Sequence, residues 1–414
     1  MSCTPCVLGC DQKGRKSMKP SSFHPSGDRG LAGHSGVGGR VVPPHLYVGL
    51  QTEGVSAIFR LIGLPSVLVF VTISGFVITH VILQKQESYW PYITRRFFRI
   101  FPLFAVTCVI GVFTSGLQAE ASNNPDDFGF TQIAKDIAWS DKAHLPMHAL
   151  AHLFMMHGAI PDDVLLHSEY AFNVPAWSIS LEWQFYLVAP LFIFVLLKQP
   201  RWVIPLAILV AAAEMIAQKL GLRTAQPGAL PFAAIYFAAG IFSRLVYSEQ
   251  FKSPLALLFA TALAIVFFPV EMVRPLLVWM IVFVGLSNSN DGSALSRLYT
   301  RLLKSPLALY FGSRSYSIYL CHWPVISVVV WLLYQWSLPS NMLVLTAVSV
   351  PLIILTAQLA YRWIEQPGIA AGRRLAERHR PLTGNEVVAA RAVAGDDANV
   401  VMQPPRDPLC RHRA

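Results

Sequence analysis

The chain has 414 residues, 54% of them hydrophobic and only 14% charged, with a mean hydropathy of +0.48 and a formal net charge of +10. A chain this apolar and this sparsely charged is no ordinary soluble domain and reads as a polytopic membrane protein. The positive excess does not point to nucleic acid, because the Lys and Arg residues fall between apolar runs and in the two tails, as loops facing cytoplasm and anionic lipid do.

Residues 1–62 hold no span. They are rich in Gly, Ser and Pro, and set Lys13, Arg15, Lys16, Lys19, Arg29, Arg40 and Arg60 against Asp11, Asp28 and Glu53. That composition reads as a disordered leader, without the continuous apolar core of a secretory signal. Cys3, Cys6 and Cys10 lie in it at a spacing that matches no metal or cluster motif, so they read as unstructured thiols.

The first span is expected at Leu64 to Leu83, followed by a connection with Lys85, Arg95, Arg96 and Arg99 that the positive-inside rule places in the cytoplasm. A second span, from about Ile100 to Leu117, returns outward and delivers a long acidic segment ending near Phe172. The third, about Pro175 to Leu197, goes back in and ends at Lys198 and Arg201. Further spans are expected at about Trp202 to Ala217, Leu230 to Val246, Pro254 to Val270, Pro275 to Leu286, Ser315 to Tyr334 and Leu343 to Trp363. This gives an all-α transmembrane bundle of nine spans over residues 63–367, with a basic, disordered cytoplasmic tail over 368–414. An inward first span leaves the basic leader outside, against the rule that orders the rest, and a further span ahead of it would repair this.

The stretch NVPAWSISLEWQFYLVAP, 173–190, puts a carboxylate inside the third span. An acidic side chain at the centre of a span costs about 2.5 to 3.5 kcal/mol on insertion scales and needs compensation. On a helix Ser178, Glu182 and Tyr186 fall four apart on one face, with Trp177 near its outer end, and that face should look into the bundle. The residues leave open whether Glu182 serves function or pairs with a neighbouring helix for structure alone. Arg95, Arg96 and Arg99 form a cationic surface suited to phosphate groups, or are a topology signal only. Ser315, Tyr319 and His322 share a face of the eighth span, where His322 is either a general base or a packed histidine. His144, His148 and His152, with His157 beyond, have helical spacing for a metal but no matching fourth ligand, so a polar helix at the membrane surface is preferred and no metal is expected.

The ordered set FVTISGFVIT (70–79), YITRRFFRIFPL (92–103), VPAWSISLEWQFYLVAP (174–190), GSRSYSIYLCHWPV (312–325) and YRWIEQP (361–367) resembles the membrane acyltransferase 3 family of integral-membrane O-acyltransferases. The resemblance implies ten spans in an intact member and transfer of an acyl group, often acetyl, from cytoplasmic acyl-CoA to a hydroxyl of a sugar or other cell-envelope acceptor. It implies a multi-pass protein of the bacterial inner membrane whose partners are acyl-CoA, the hydroxyl acceptor and the lipid bilayer. Arg95, Arg96 and Arg99 would then face the CoA phosphates, the Trp177 to Glu182 motif would line the substrate path, and the helix of Tyr319 and His322 would wall it.

Family members open with a span that holds an Arg and, about ten residues later, the His regarded as the base. Between Arg60 and the Ser74–Gly75 pair this chain has no His, and His45 lies in a Pro- and Gly-rich stretch. The expectation is that the family's first span has been replaced here. Proton handling then falls to Glu182 and His322, with Trp177, Ser178, Tyr186, Ser315 and Tyr319 orienting the acceptor. Two other readings remain: a transporter or flippase with a Glu182–His322 proton relay, for which the halves should repeat, and a pseudoenzyme that binds acyl-CoA or glycan without turnover.

Overall fold

A computed structural model describes residues 53–121, 132–220, 228–247, 270–287, 294–338 and 342–378, and every regular element among them is helical. In chain order these are α1 (Glu53–Lys85), α2 (Tyr89–Ala121), α3 (Gln132–Ala143), α4 (Leu145–Leu153), α5 (Trp177–Lys198), α6 (Val203–Lys219), α7 (Leu230–Tyr247), α8 (Val270–Ser287), α9 (Ala294–Leu303), α10 (Pro306–Gln335), α11 (Met342–Ala360) and α12 (Gln366–Arg378). A single π turn, Tyr361–Glu365, joins the last two.

Six helices among the described residues are long and apolar enough to cross a membrane: Gly63–Lys85, Tyr89–Leu117, Val174–Lys198, Leu230–Tyr247, Pro306–Gln335 and Leu343–Arg378. The all-α membrane bundle read from the sequence therefore holds. The span expected at 254–270 lies, but for its last residue, outside the described residues, as do leader residues 1–52 and tail residues 379–414. The remaining expected spans are helices, but α6 has 17 residues and the apolar part of α8 is Val273–Ser287, both short of the ~20 residues a full crossing takes.

Helix boundaries differ from the sequence expectation at three places. α1 begins at Glu53 and α2 at Tyr89, so the RRFFR arginines sit within a helix and only residues 86–88 form the connection. Past the expected end of the last span the chain stays helical to Arg378, because Gly368, Gly372 and Ala376 recur every four residues and give α12 a small face that packs on α2. A methyl group on Gly368 would lie 2.7 Å from the Phe98 carbonyl.

Small residues also set the closest helix pair. The α-carbon of Gly75 on α1 meets the backbone of Phe237 on α7, while Gly240 on α7 meets the backbone of Thr72 and Phe76. Such mutual approach is how helices associate without a hydrophobic driving force. Two threonine hydroxyls of α1 are satisfied within it, Thr72 donating to the Leu68 carbonyl at 2.9 Å and Thr79 to that of Gly75 at 2.7 Å. The main core gathers α1, α2, α5, α7 and α10 around Phe104, Ile179, Leu181, Ile193, Phe237 and Leu320.

Between α2 and α5 the chain folds over the outer end of the bundle through α3, α4 and tight turns at Met155, His167 and Phe172, whose φ values of 53°, 54° and 63° are left-handed. The Phe172 amide donates to the Asp141 carboxylate at 3.3 Å, which fixes this turn immediately ahead of α5.

Candidate functional site

The start of α5 is set by Pro175 in a short 3₁₀ turn, Val174–Ala176, after which Trp177, Ser178, Glu182 and Tyr186 are all buried. The four-residue spacing does put the three polar groups on the inward face. Glu182 accepts from the Ser74 hydroxyl of α1 at 3.3 Å and, through the same Oε1, from the Tyr186 hydroxyl one turn along its own helix. Its carboxylate also lies within electrostatic reach of Arg99 and Arg96 on α2. The charge buried in the third span is thus met by donors from three helices.

The three arginines of α2 divide. Arg95 pairs with Glu87 of the connection ahead of α2. Arg96 turns inward, its guanidinium 5.6 Å from the centre of the Tyr186 ring and 5.8 Å from that of Tyr92. Arg99 lies 3.8 Å from Glu365, whose carboxylate accepts from Ser317 at 2.6 Å. Next to Ser317, Tyr316 donates to the Ile100 carbonyl at 2.5 Å and ties α10 to α2. Arg95 therefore pairs with an acid of the connection ahead of α2, and Arg96 and Arg99 stand beside the buried carboxylates.

At the outer end, the Ser178 hydroxyl donates to Tyr319 at 2.8 Å, and Tyr319 donates to the Pro175 carbonyl at 2.6 Å. Asn173 donates to the Leu320 carbonyl at 3.2 Å, so the head of α5 is sewn to α10 twice. His322, half-buried, turns Nδ1 to the Tyr319 carbonyl at 2.5 Å, its ring 5.8 Å from the Tyr319 ring. That bond is to the main chain of Tyr319, whereas the Tyr319 hydroxyl is the group that meets Ser178. Ser315 stands apart: it is exposed and bonds the Gly312 carbonyl of its own turn at 3.0 Å, while Ser317 and Ser327 are the buried serines of this helix.

The four histidines of the outer segment do not converge as ligands. His144 is exposed; His148 meets Ser140 at 3.0 Å; His152 lies between the carbonyls of His148 and Ala171 at 2.7 and 3.1 Å; His157 meets the Ala176 carbonyl at 3.0 Å. His152 and His157 stack with centroids 4.0 Å apart. Among the described residues no group of three His, Cys, Asp or Glu side chains is placed to hold a metal. Burial pushes His148 and His152 down to about 4 and His157 well below the usual range, and it pushes the Asp141 carboxyl up to about 7. For His152 the two facing carbonyls work against burial, since an imidazolium could donate to both.

The residues that spacing alone missed are Ser74, Ser317, Tyr316 and Glu365. Glu365 carried the same signal as Glu182, an acid next to a long apolar run, and the argument from burial cost would have found it. Taken together, α1, α2, α5 and α10 hold a row of polar groups, from Tyr319 and Ser178 at the outer end through Glu182 and Tyr186 to Arg96, Arg99 and finally Arg95. Such a row offers acceptors for a hydroxyl proton, donors for an oxyanion and a cation at the mouth.

A family model described as an acyltransferase domain matches residues 29–362 of the chain. Comparison with curated proteins and with solved structures gave no match.

Proposed function

Because the chain belongs to this acyltransferase family and is an integral membrane protein, we propose that it moves an acyl group, acetyl first among the candidates, from acyl-CoA at the cytoplasmic face to a hydroxyl of a sugar or other cell-envelope acceptor on the opposite face. The membrane would be the bacterial inner membrane. The observation that carries this reading is the set of buried polar groups in the first half of α5, where Glu182 meets Tyr186 and Ser74 of α1, and Ser178 meets Tyr319 of α10.

In the reaction the acceptor oxygen attacks the thioester carbonyl carbon, its proton passes to a base, the carbon–sulfur bond breaks and CoA leaves as the thiol after taking up a proton. Glu182, within electrostatic reach of Arg96 and Arg99, would act as one proton acceptor, and His322, one turn beyond Tyr319 on α10, as the other. Trp177, Ser178, Tyr186 and Tyr319 would orient the acceptor. Arg95, whose carboxylate partner Glu87 lies on the short connection ahead of α2, would meet CoA phosphates, while Arg96 and Arg99, beside the buried Glu182 and Glu365, suit the reacting end better.

The test is transfer of label from acetyl-CoA into hydroxyl-bearing envelope material by membranes containing the full chain. The expected result is label that depends on the chain and is lost in Glu182→Ala. Membranes that transfer none, or that transfer equally with Glu182→Ala, would overturn the reading.

A further inference from the structure

Two buried hydrogen-bond donors on α2 have no partner. Tyr92 is 2% exposed and its hydroxyl makes no hydrogen bond; one turn on, Arg96 Nε is likewise buried and unbonded. Leaving such a group unsatisfied forfeits its hydration without a replacement bond, and folded proteins hold few of them. Two at neighbouring positions mark a place where something else completes the bonding.

Four residues apart on a helix, the two side chains share a face. The Arg96 guanidinium is stacked on the rings of both Tyr92 and Tyr186, one from its own helix and one from α5, so it is held in place. Both side chains stand within electrostatic reach of Glu182. A phosphate at this place would meet that carboxylate charge against charge, whereas an uncharged oxygen acceptor would take both donors without repulsion.

Resting on the acyl-transfer reading, we propose that the Tyr92 hydroxyl and Arg96 Nε form a binding site for a carbonyl oxygen of the acyl donor. The thioester carbonyl and the amide carbonyls of the pantetheine arm share this chemistry. With the thioester oxygen in the site, the two donors face an oxygen that gains negative charge when the alcohol attacks.

The test measures affinity for acetyl-CoA and for free CoA, a thiol that lacks the acetyl group and with it the thioester carbonyl, by the shift in thermal midpoint of the full chain in detergent. Tyr92→Phe keeps the ring and its stacking and removes one donor. The expected result is a ligand-free midpoint that is unchanged or higher, with acetyl-CoA bound about three- to tenfold more weakly. Arg96→Lys, which keeps the charge and loses Nε–H, should weaken it in the same direction. Weakening confined to acetyl-CoA assigns the thioester oxygen; equal weakening with CoA assigns an amide oxygen. A Tyr92→Phe chain that binds both as the wild type does, or that loses midpoint without ligand, overturns the site and leaves the transferase reading standing. A wild-type chain that responds to neither compound overturns both.

Discussion

Glu365 Oε1 lies 3.8 Å from Arg99 Nη1, joining the π turn after α11 to the inner part of α2. The carboxylate side chain is 1% exposed and the arginine side chain 44%, so the acid is walled in while the guanidinium keeps an open side. A π turn inserts one extra residue per turn and so redirects the side chains that follow, and here the last residue of the turn is Glu365. With Ser317 holding the other carboxylate oxygen and Glu182 within reach from α5, Arg99 stands between two acids rather than among cations.

This arrangement predicts that Glu365→Gln acts on turnover rather than on donor binding. Steady-state kinetics of acyl transfer should show kcat reduced about 10- to 100-fold, the scale of a misplaced catalytic group, with KM for acyl-CoA nearly unchanged. Arg95→Gln should do the reverse and raise KM. If Glu365→Gln raised KM as Arg95→Gln does, Arg99 would be a phosphate contact after all.

Beside the Asn173 bond, the junction between the head of α5 and α10 is made by one tyrosine hydroxyl that both accepts from Ser178 and donates to Pro175. Tyr319→Phe removes both bonds and leaves the ring. A loss of about 1–3 kcal/mol in unfolding free energy is expected, because the Ser178 hydroxyl loses an acceptor and the Pro175 carbonyl a donor. Ser178→Ala should cost less, and in the double variant the two effects should not add.

Packing of α1 on α7 predicts the most damaging substitutions outside the site. Gly240→Leu would drive a side chain into the backbone of Thr72 and Phe76, atoms that cannot rotate away. Yield of folded protein in detergent should fall sharply. Gly312→Leu is the control, since a methyl group there meets nothing within 4 Å.

The outer segment should respond to pH. His148 and His152 titrate near 4 in the fold against about 6.5 when exposed, so the unfolded segment binds more protons and stability is lost as pH falls from about 6.5 toward 4. Asp141 works the other way: its carboxyl titrates near 7 in the fold against about 3.9 when exposed, so its contribution is lost as pH rises through that window. With His157 also displaced downward, the histidines outnumber the acid and net loosening on acidification is expected. Amide exchange across residues 132–173 at pH 7 and pH 5 measures it. Faster exchange at pH 5, beyond the intrinsic chemical rate, is the predicted sign, and Asp141→Asn should leave the histidine part intact.

What the sequence made legible is the part governed by cost. A carboxylate in an apolar run must be compensated, and that requirement with a four-residue spacing located the Ser178, Glu182, Tyr186 face. What spacing could not supply is rotation. α10 is apolar nearly all round, so nothing in its pattern says which side faces in; its buried stripe runs through Tyr316, Ser317, Leu320, Cys321 and Pro324, and Ser315 falls on the flank. The same holds for the arginines of α2, where neighbouring positions 95 and 96 diverge by about 100° around the axis and so find different partners. Glu365 was legible by the same cost, but its direction toward Arg99 was not, since a π turn cannot be read from composition.

The central claim is that one buried row of side chains connects a thioester on one leaflet with an alcohol on the other, and sidedness tests it most directly. Sealed vesicles of known orientation containing the full chain would be given acetyl-CoA, which does not cross bilayers, on the cytoplasmic side only, with the hydroxyl acceptor enclosed on the other. The account predicts acetylated acceptor inside, dependent on Glu182 and absent when donor and acceptor exchange sides. Acetylation only when both substrates share one side would contradict it.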